Sequence, residues 1–591
     1  MTRLDAPTKF VIYSFRAIAC VIALLQAWSY RHVVFQEDLI SYLDMARSML
    51  HGHLGALVNP DWSPLYPFTL GITLGLIRPQ PLWECFVIKL LSVVLFLISL
   101  LAFEFLLTQS LKVRQRLLSR LAGSGFHPYR LPTALIVSTC YSVFLAYSLA
   151  VGHINQDTPD RLVTTGILIC TALLIKVQLG ETPISSAVLA GLTAGVGYLA
   201  KTFFFPLGLV FATLVALYAG AGRRIRLSVC CLSAFVAVGL PLFCAVSMKV
   251  GHPSFGEIGK LTFAECILYY PQRHGHSPEL KHPDRILCQS PHVYEFATPV
   301  IDATYPVWFA RSYWYEGLKL DMNWRKIWTR ITRINLKIFW VNFLRIVVIA
   351  PLCLLVWMRR FPVKARAVLY HAPLLLPCLA GFPALIVASN MTHNGVDRYF
   401  YPFEILTLMA LVFMVVAKNT RRERIVMQLS MIGCTIALLV MLGSSVFTTD
   451  VPHMMAPVPP ADWMVAQALK NSGVRSGDCV AQLGFTEEPR IISFGDFETK
   501  RAGNHYYWAY LDEVRIVADI VEPWVFWRVT PQARQELIDK LSAYGVKAVV
   551  LMPGGRVIQS VAEAEGWHKV EGAGCYFYII GEHGKVQPSH G

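Results

Sequence analysis

Apolar stretches of about twenty residues, each ending in a cluster of Lys or Arg, recur along most of this chain, and a lipid bilayer is the solvent that suits them. The composition agrees: of 591 residues, 55% are hydrophobic and 15% charged, too apolar a balance for a string of soluble domains. A formal net charge of +15 invites a nucleic-acid reading. The basic residues, however, sit in short groups between apolar stretches, as cytoplasmic loops do under the positive-inside rule, and no nucleic-acid partner is expected. Most of the 14 cysteines, among them Cys20, Cys140, Cys170, Cys230, Cys231, Cys244, Cys353, Cys378 and Cys434, lie inside apolar segments, where cysteine acts as a small hydrophobe.

The basic flanks set a direction for each crossing. With Arg3 and Lys9 inside, Phe10 to Trp28 runs outward as an uncleaved anchor, and Trp83 to Leu107 returns to Lys112, Arg114, Arg116, Arg120 and Arg130. Spans then follow at 131–151, 162–176, 185–200, 203–222, 227–248, 338–358, 369–389, 400–417 and 425–445, and inward crossings keep ending in basic clusters such as Arg223, Arg224 and Arg226. Leu65 to Ile77 is too short to cross comfortably, and counting it would invert the charge pattern, so it reads as a juxtamembrane or re-entrant helix. The expectation is an α-helical polytopic membrane protein of about eleven transmembrane helices, with a cytoplasmic N-terminus and a small C-terminal α/β soluble domain on the non-cytoplasmic side.

This topology makes residues 1–448 a transmembrane unit with outer loops at 31–64, 153–160, 249–337 and 390–399, and residues 449–591 an outer domain. The outer domain alternates helix and strand patterns: Asp462 to Asn471 and Pro531 to Tyr544 read as helices, and Asp478 to Gly484, Lys547 to Met552 and Cys575 to Ile580 as strands. A three-layer or half-Rossmann arrangement is expected without a nucleotide fingerprint, because Gly554-Gly555 is not part of a GxGxxG. Cys266 with Cys288 and Cys479 with Cys575 are conceivable disulfides if the compartment is oxidising.

Polar residues with chemical potential gather on the outer side. Asp38, Tyr42 and Ala46 share one face of a short amphipathic helix expected along the membrane; read as pattern alone, Asp38 is its N-cap and Tyr42 an interfacial anchor. His153, Asp157 and Asp160 sit in the second outer loop as metal ligands or acceptor-orienting groups, against a bland reading as solvated charges before a helix, with Arg161 expected to snorkel. Lys201, at the outer end of a span, and Arg398, near His393 and Asp397, are cations that can either meet a lipid phosphate or simply snorkel at the interface, the planar fork of Arg398 suiting a phosphate best. His274, His276, His282 and His292 match no zinc spacing.

Several motifs occur in order: an outer acidic residue before Tyr42-Leu43-x-x-Ala46-Arg47, Pro64-Leu65-Tyr66-Pro67 opening an apolar segment, Thr158-Pro159-Asp160 opening a span, the glycine-rich run Gly191 to Lys201, and Asp397-Arg398-Tyr399 before Tyr401-Pro402. Over roughly 9–445 this sequence resembles the C-type (GT-C) integral membrane glycosyltransferases, of the branch that uses dolichyl- or undecaprenyl-phosphate sugars and includes mannosyl- and aminoarabinosyl-transferases.

The resemblance implies transfer of a sugar from a polyprenyl-phosphate donor to a lipid, glycan or protein acceptor, with inversion. Asp38 is implied as the base, with Glu37 as the alternative because it precedes Asp38 where many relatives carry Asp-Glu; Asp160 joins this catalytic set. Lys201 and Arg398 are implied for the donor phosphate, and Asp157, His153, His393 and Tyr66 for acceptor or metal, a divalent magnesium or manganese ion being the candidate cofactor. Trp62-Ser63-Pro64 stands where some relatives, the aminoarabinose transferases among them, have Lys-Pro-Pro, and the Trp-Trp-Asp-Tyr-Gly motif of oligosaccharyltransferases is absent. The expected location is a bacterial inner membrane with the C-terminal domain periplasmic, the eukaryotic endoplasmic reticulum being the alternative. Two other classes compete: a transporter or flippase of a lipid-linked substrate, favoured by Lys89 within a span, and a non-catalytic assembly subunit.

Overall fold

The computed structural model describes residues 5–124, 126–268, 280–282, 285–337, 361–388, 397–456, 459–484, 506–551 and 559–581. Eight of its helices are long and apolar enough to cross a bilayer: Ala6–Ser29, Pro81–Gly123, Thr133–Val151, Asp160–Leu179, Pro183–Ala200, Ala221–Val250, Ala367–Ile386 and Arg421–Met455. Each takes the place of an expected span. Phe204–Tyr218 is shorter, and Asp397–Met414 carries three charged residues, Asp397, Arg398 and Glu404. The expected span 338–358 lies outside the described residues.

In chain order the helices used below are α1 (Ala6–Ser29), α2 (Asp38–Leu50), α3 (Leu65–Ile77), α4 (Pro81–Gly123), α5 (Thr133–Leu145), α6 (Asp160–Leu179), α7 (Pro183–Ala200), α8 (Phe204–Tyr218) and α9 (Arg224–Val250). Helix α4 does not stop at Leu107. Its 43 residues run on through Lys112, Arg114 and Arg116, about 65 Å at 1.5 Å per residue, so it extends well past a 30 Å hydrocarbon layer. Glycine sets the tightest helix contact. Without a Cβ at Gly191 and Gly195, the backbone of α9 at Cys231 and the side chains of Ala234 and Val238 come up against α7; a methyl group at either glycine would collide with them.

At the other end of the chain a seven-stranded mixed sheet forms, in the order β1-β2-β4-β3-β5-β7-β6. Its strands are β1 (Arg285–Gln289), β2 (His292–Glu295), β3 (Cys479–Leu483), β4 (Arg515–Ile520), β5 (Val546–Leu551), β6 (His568–Val570) and β7 (Cys575–Ile579). The central β4-β3-β5 trio is parallel and the edges are antiparallel. The three strands expected in the tail are β3, β5 and β7, whereas β1 and β2 come from the loop 249–337. Helices cover both faces: Leu537, Ile538 and Leu541 of Pro531–Ala543 pack on one, Val465 and Leu469 of Ala461–Asn471 on the other.

Helix α2 is more enclosed than its amphipathic pattern implies: Leu39 through Ala46 are all buried, in one apolar cluster with α3, the start of α4 and a face of the sheet. The small Gly71 of α3 gives α2 room, since a Cβ there would strike Met49. Cys479 and Cys575 are both free thiols. They sit on β3 and β7, which flank β5 and are therefore about two strand spacings, ~10 Å, apart, beyond disulfide reach. Cys288 is free too, and the side chain of Cys266 lies outside the described residues.

Candidate active site

Three helix starts and one helix end converge at one end of the bundle. Asp38 opens α2, Asp160 opens α6, Arg398 is the second residue of Asp397–Met414, and Lys201 directly follows α7 in an extended conformation. Asp38 does not cap its helix; the N-cap is the half-buried Glu37 and no side chain bonds there. Its carboxylate turns instead to Arg398, whose Nη2 lies 3.4 Å from Asp38 Oδ2.

Asp160 joins the two cations. Lys201 Nζ donates to Asp160 Oδ1 at 2.5 Å, Arg398 Nε stands 3.7 Å from Asp160 Oδ2, and the Thr158 hydroxyl donates to that same oxygen at 2.7 Å. Tyr399 binds the pair from the side: its hydroxyl accepts from Arg398 Nη2 at 2.7 Å, and Lys201 Nζ sits 4.1 Å from its ring centre. Arg398 Nε and Nη1 have no hydrogen-bond partner among the described residues. A buried guanidinium with donors to spare is suited to an incoming anion, because an unmade bond at such a group costs more than a made one returns.

Aromatic rings wall one side. Tyr42, one turn along α2 from Asp38, packs edge-on against Trp62 and Tyr66 at 5.3 and 5.2 Å, and burial pushes its phenol well above the usual range, keeping it neutral. Tyr66 is fully buried. Thr164, on α6 one turn from Asp160, donates to the Tyr401 hydroxyl at 2.7 Å.

The remaining sequence candidates are engaged elsewhere. Asp157 forms an ion pair with Lys89, both side chains fully buried. His153 Nε2 is 2.6 Å from Asp450 Oδ1, and Asp450 also accepts from Gln26 at 2.8 Å. Arg161 does not snorkel; it is buried and donates from Nη2 to the Gly152 carbonyl at 2.8 Å. His393 and the side chain of Asp397 lie outside the described residues. Tyr399 and Thr158 were visible only as motif letters beside the expected residues, Tyr42 was expected as an interfacial anchor, and nothing in the sequence pointed to Asp450 or Gln26. Among the described residues no three His, Cys, Asp or Glu side chains come together as a metal site.

No family model and no curated protein matches the sequence. Among solved structures, the crystal structure of ArnT from Cupriavidus metallidurans bound to undecaprenyl phosphate aligns over 97% of this chain and 98% of that one, at 14% identity and a TM-score of 0.47. The apo structure of the same protein aligns over the same shares at 14% identity and a TM-score of 0.39. The chain is similar to both along nearly its whole length.

Proposed function

We propose that this protein transfers a sugar from a polyprenyl-phosphate donor to an acceptor hydroxyl or amine at the membrane edge, with inversion. The observation that carries the reading is the convergence of Asp38, Asp160, Lys201 and Arg398 from four distant parts of the chain. The acceptor oxygen or nitrogen attacks the anomeric carbon, its proton passes to Asp38, and the bond to the phosphate oxygen breaks with its electrons leaving on the polyprenyl phosphate. Arg398 ties the two events together. While Asp38 is charged it holds one edge of the guanidinium; once it takes the proton, that edge is released as negative charge grows on the leaving phosphate, where Lys201 also acts. Asp160 holds both cations in place.

A divalent ion would be held by Asp38 and Asp160, to which the described residues bring no third His, Cys, Asp or Glu, and no step is routed through a metal. Lys89, the main feature that favoured a transporter, is paired with Asp157 away from the four converging residues.

The test compares glycolipids and glycans by mass spectrometry in cells carrying the wild type, Asp38→Asn or Glu37→Gln. The expected result is a product that depends on the protein and is lost in Asp38→Asn at normal membrane expression. Loss in Glu37→Gln with a normal product in Asp38→Asn moves the base by one residue. A normal product in both variants sinks the mechanism.

A further inference from the structure

We propose that Asp44 and Arg47 are positioning residues through which the sheet domain holds α2 and so sets where Asp38 stands. The proposal rests on the reading of Asp38 as the base and adds to it a role for the domain beyond the bundle.

Helix α2 is only 13 residues long, and an isolated helix of that length is marginal, so its place must come from its contacts. At its start Arg398 approaches Asp38 to 3.4 Å. Its middle and end are fixed by the sheet domain and the loop bound to it. Asp44 is buried and takes two bonds from Thr304, from the backbone N–H at 2.9 Å and from the hydroxyl at 2.7 Å. Arg47, less than one turn further, donates from Nη2 to the Tyr510 carbonyl at 2.7 Å and lies 3.7 Å over the Tyr510 ring.

Both partners are themselves tied to the sheet. The Thr304 carbonyl accepts from Ile516 N on β4 at 2.8 Å, the neighbouring Tyr305 donates to Asp519 of β4 at 2.5 Å, and its ring stacks at 4.2 Å on Tyr506, the residue just before the short helix Tyr507–Leu511 that contains Tyr510. The path from β4 to the base is thus short: sheet, Thr304 or Tyr510, two side chains of α2, and then two helical turns to Asp38. Neither Asp44 nor Arg47 touches the site. Their use is to keep a helix start, and the carboxylate on it, from drifting by the ångström that separates a productive base from an idle one.

The test measures three quantities for purified full-length variants and cells: the rate of product formation seen by mass spectrometry, the affinity for undecaprenyl phosphate, and the thermal midpoint. Asp44→Asn and Arg47→Met, the latter keeping the apolar stem of the side chain, are expected to lower the rate by on the order of 10²-fold, the loss that a 1 Å misplacement brings, with undecaprenyl phosphate affinity and midpoint unchanged. Thr304→Ser and Tyr510→Phe, which keep the hydroxyl and the ring respectively, are expected to retain the rate. Wild-type rates in Asp44→Asn and Arg47→Met overturn the proposal, and so does a parallel fall of rate, affinity and midpoint, which is the mark of a merely structural contact. Asp38→Asn separates the two readings: if it retains the rate, the base assignment fails; if it loses the rate while the α2 variants do not, only the positioning role fails.

Discussion

Two lysine–aspartate pairs sit a few residues apart in sequence on the aspartate side, and they do opposite things. Lys89 and Asp157 are both fully buried and close on each other. Lys201 and Asp160 make the same kind of bond, but the Lys201 side chain keeps 27% of its surface exposed, Asp160 is shared with Arg398, and Arg398 still has donors unused. The first pair neutralises itself inside a helix bundle. The second keeps a partly exposed lysine and a buried guanidinium with donors unused. Residue type does not distinguish them; what does is whether an ion arriving from outside finds any donor left over.

Breaking the closed pair should have the largest effect. Lys89→Met leaves the Asp157 carboxylate buried and unpaired, a change that costs about 3–5 kcal/mol in comparable sites and is expected to cut yield and thermal midpoint sharply. Lys89→Met with Asp157→Leu should recover much of the loss, since two apolar groups replace a buried pair with little penalty. A Lys89→Met protein as stable as the wild type would show that the pair contributes nothing to folding.

Carboxylates buried against hydroxyls and N–H groups form a third class, and pH reports on them. Asp61 accepts from Ser312 N and Oγ, both at 2.9 Å, and burial pushes its pKa up to about 6. The folded state therefore binds this proton more tightly than the unfolded chain does. Its stabilising share is complete below about pH 4 and disappears as pH rises through about 6, each tenfold difference in proton affinity between the two states being worth about 1.4 kcal/mol. Asp61→Asn should flatten that part of the midpoint–pH curve. An unchanged slope in the variant would assign it to other groups, such as Asp462, which burial pushes up to about 7.

How much of this could be read in advance follows from the same distinction. Eight spans, the short helix at Leu65, and β3, β5 and β7 announce themselves because hydrophobic period and basic flanks are local signals. The residues of the site were nameable because motif order put Asp38, Asp160, Lys201 and Arg398 on one expected side, and the bundle does join them. The sequence could not say which neighbouring acid is closed off: Asp157 and Asp160 look alike until Lys89, 68 positions away, is seen to reach the first. Nor could it recruit β1 and β2 to a sheet whose other strands begin about 190 residues later, because strand pairing is a long-range property. The enclosure of α2 was hidden for a related reason. Its face with Asp38 and Tyr42 has an amphipathic look, but the polar positions Asp44 and Arg47 are engaged by Thr304 and Tyr510 rather than by water.

The smallest expected effect probes the open pair. Lys201→Met removes one of two cations, and Arg398→Lys keeps charge but gives up the planar fork and its spare donors. Neither change strands a fully buried ion as Lys89→Met does, because Asp160 keeps one cation and its bond from Thr158 in either variant. Stability should therefore change little, while affinity for undecaprenyl phosphate falls about tenfold, ~1.4 kcal/mol, in each. The ranking is the informative part. If Lys201→Met unfolds the protein as readily as Lys89→Met, the two pairs are the same kind of brace and the site loses its claim to a phosphate. If it lowers phosphate affinity alone, the difference in exposure between two otherwise matching pairs is what separates binding from structure.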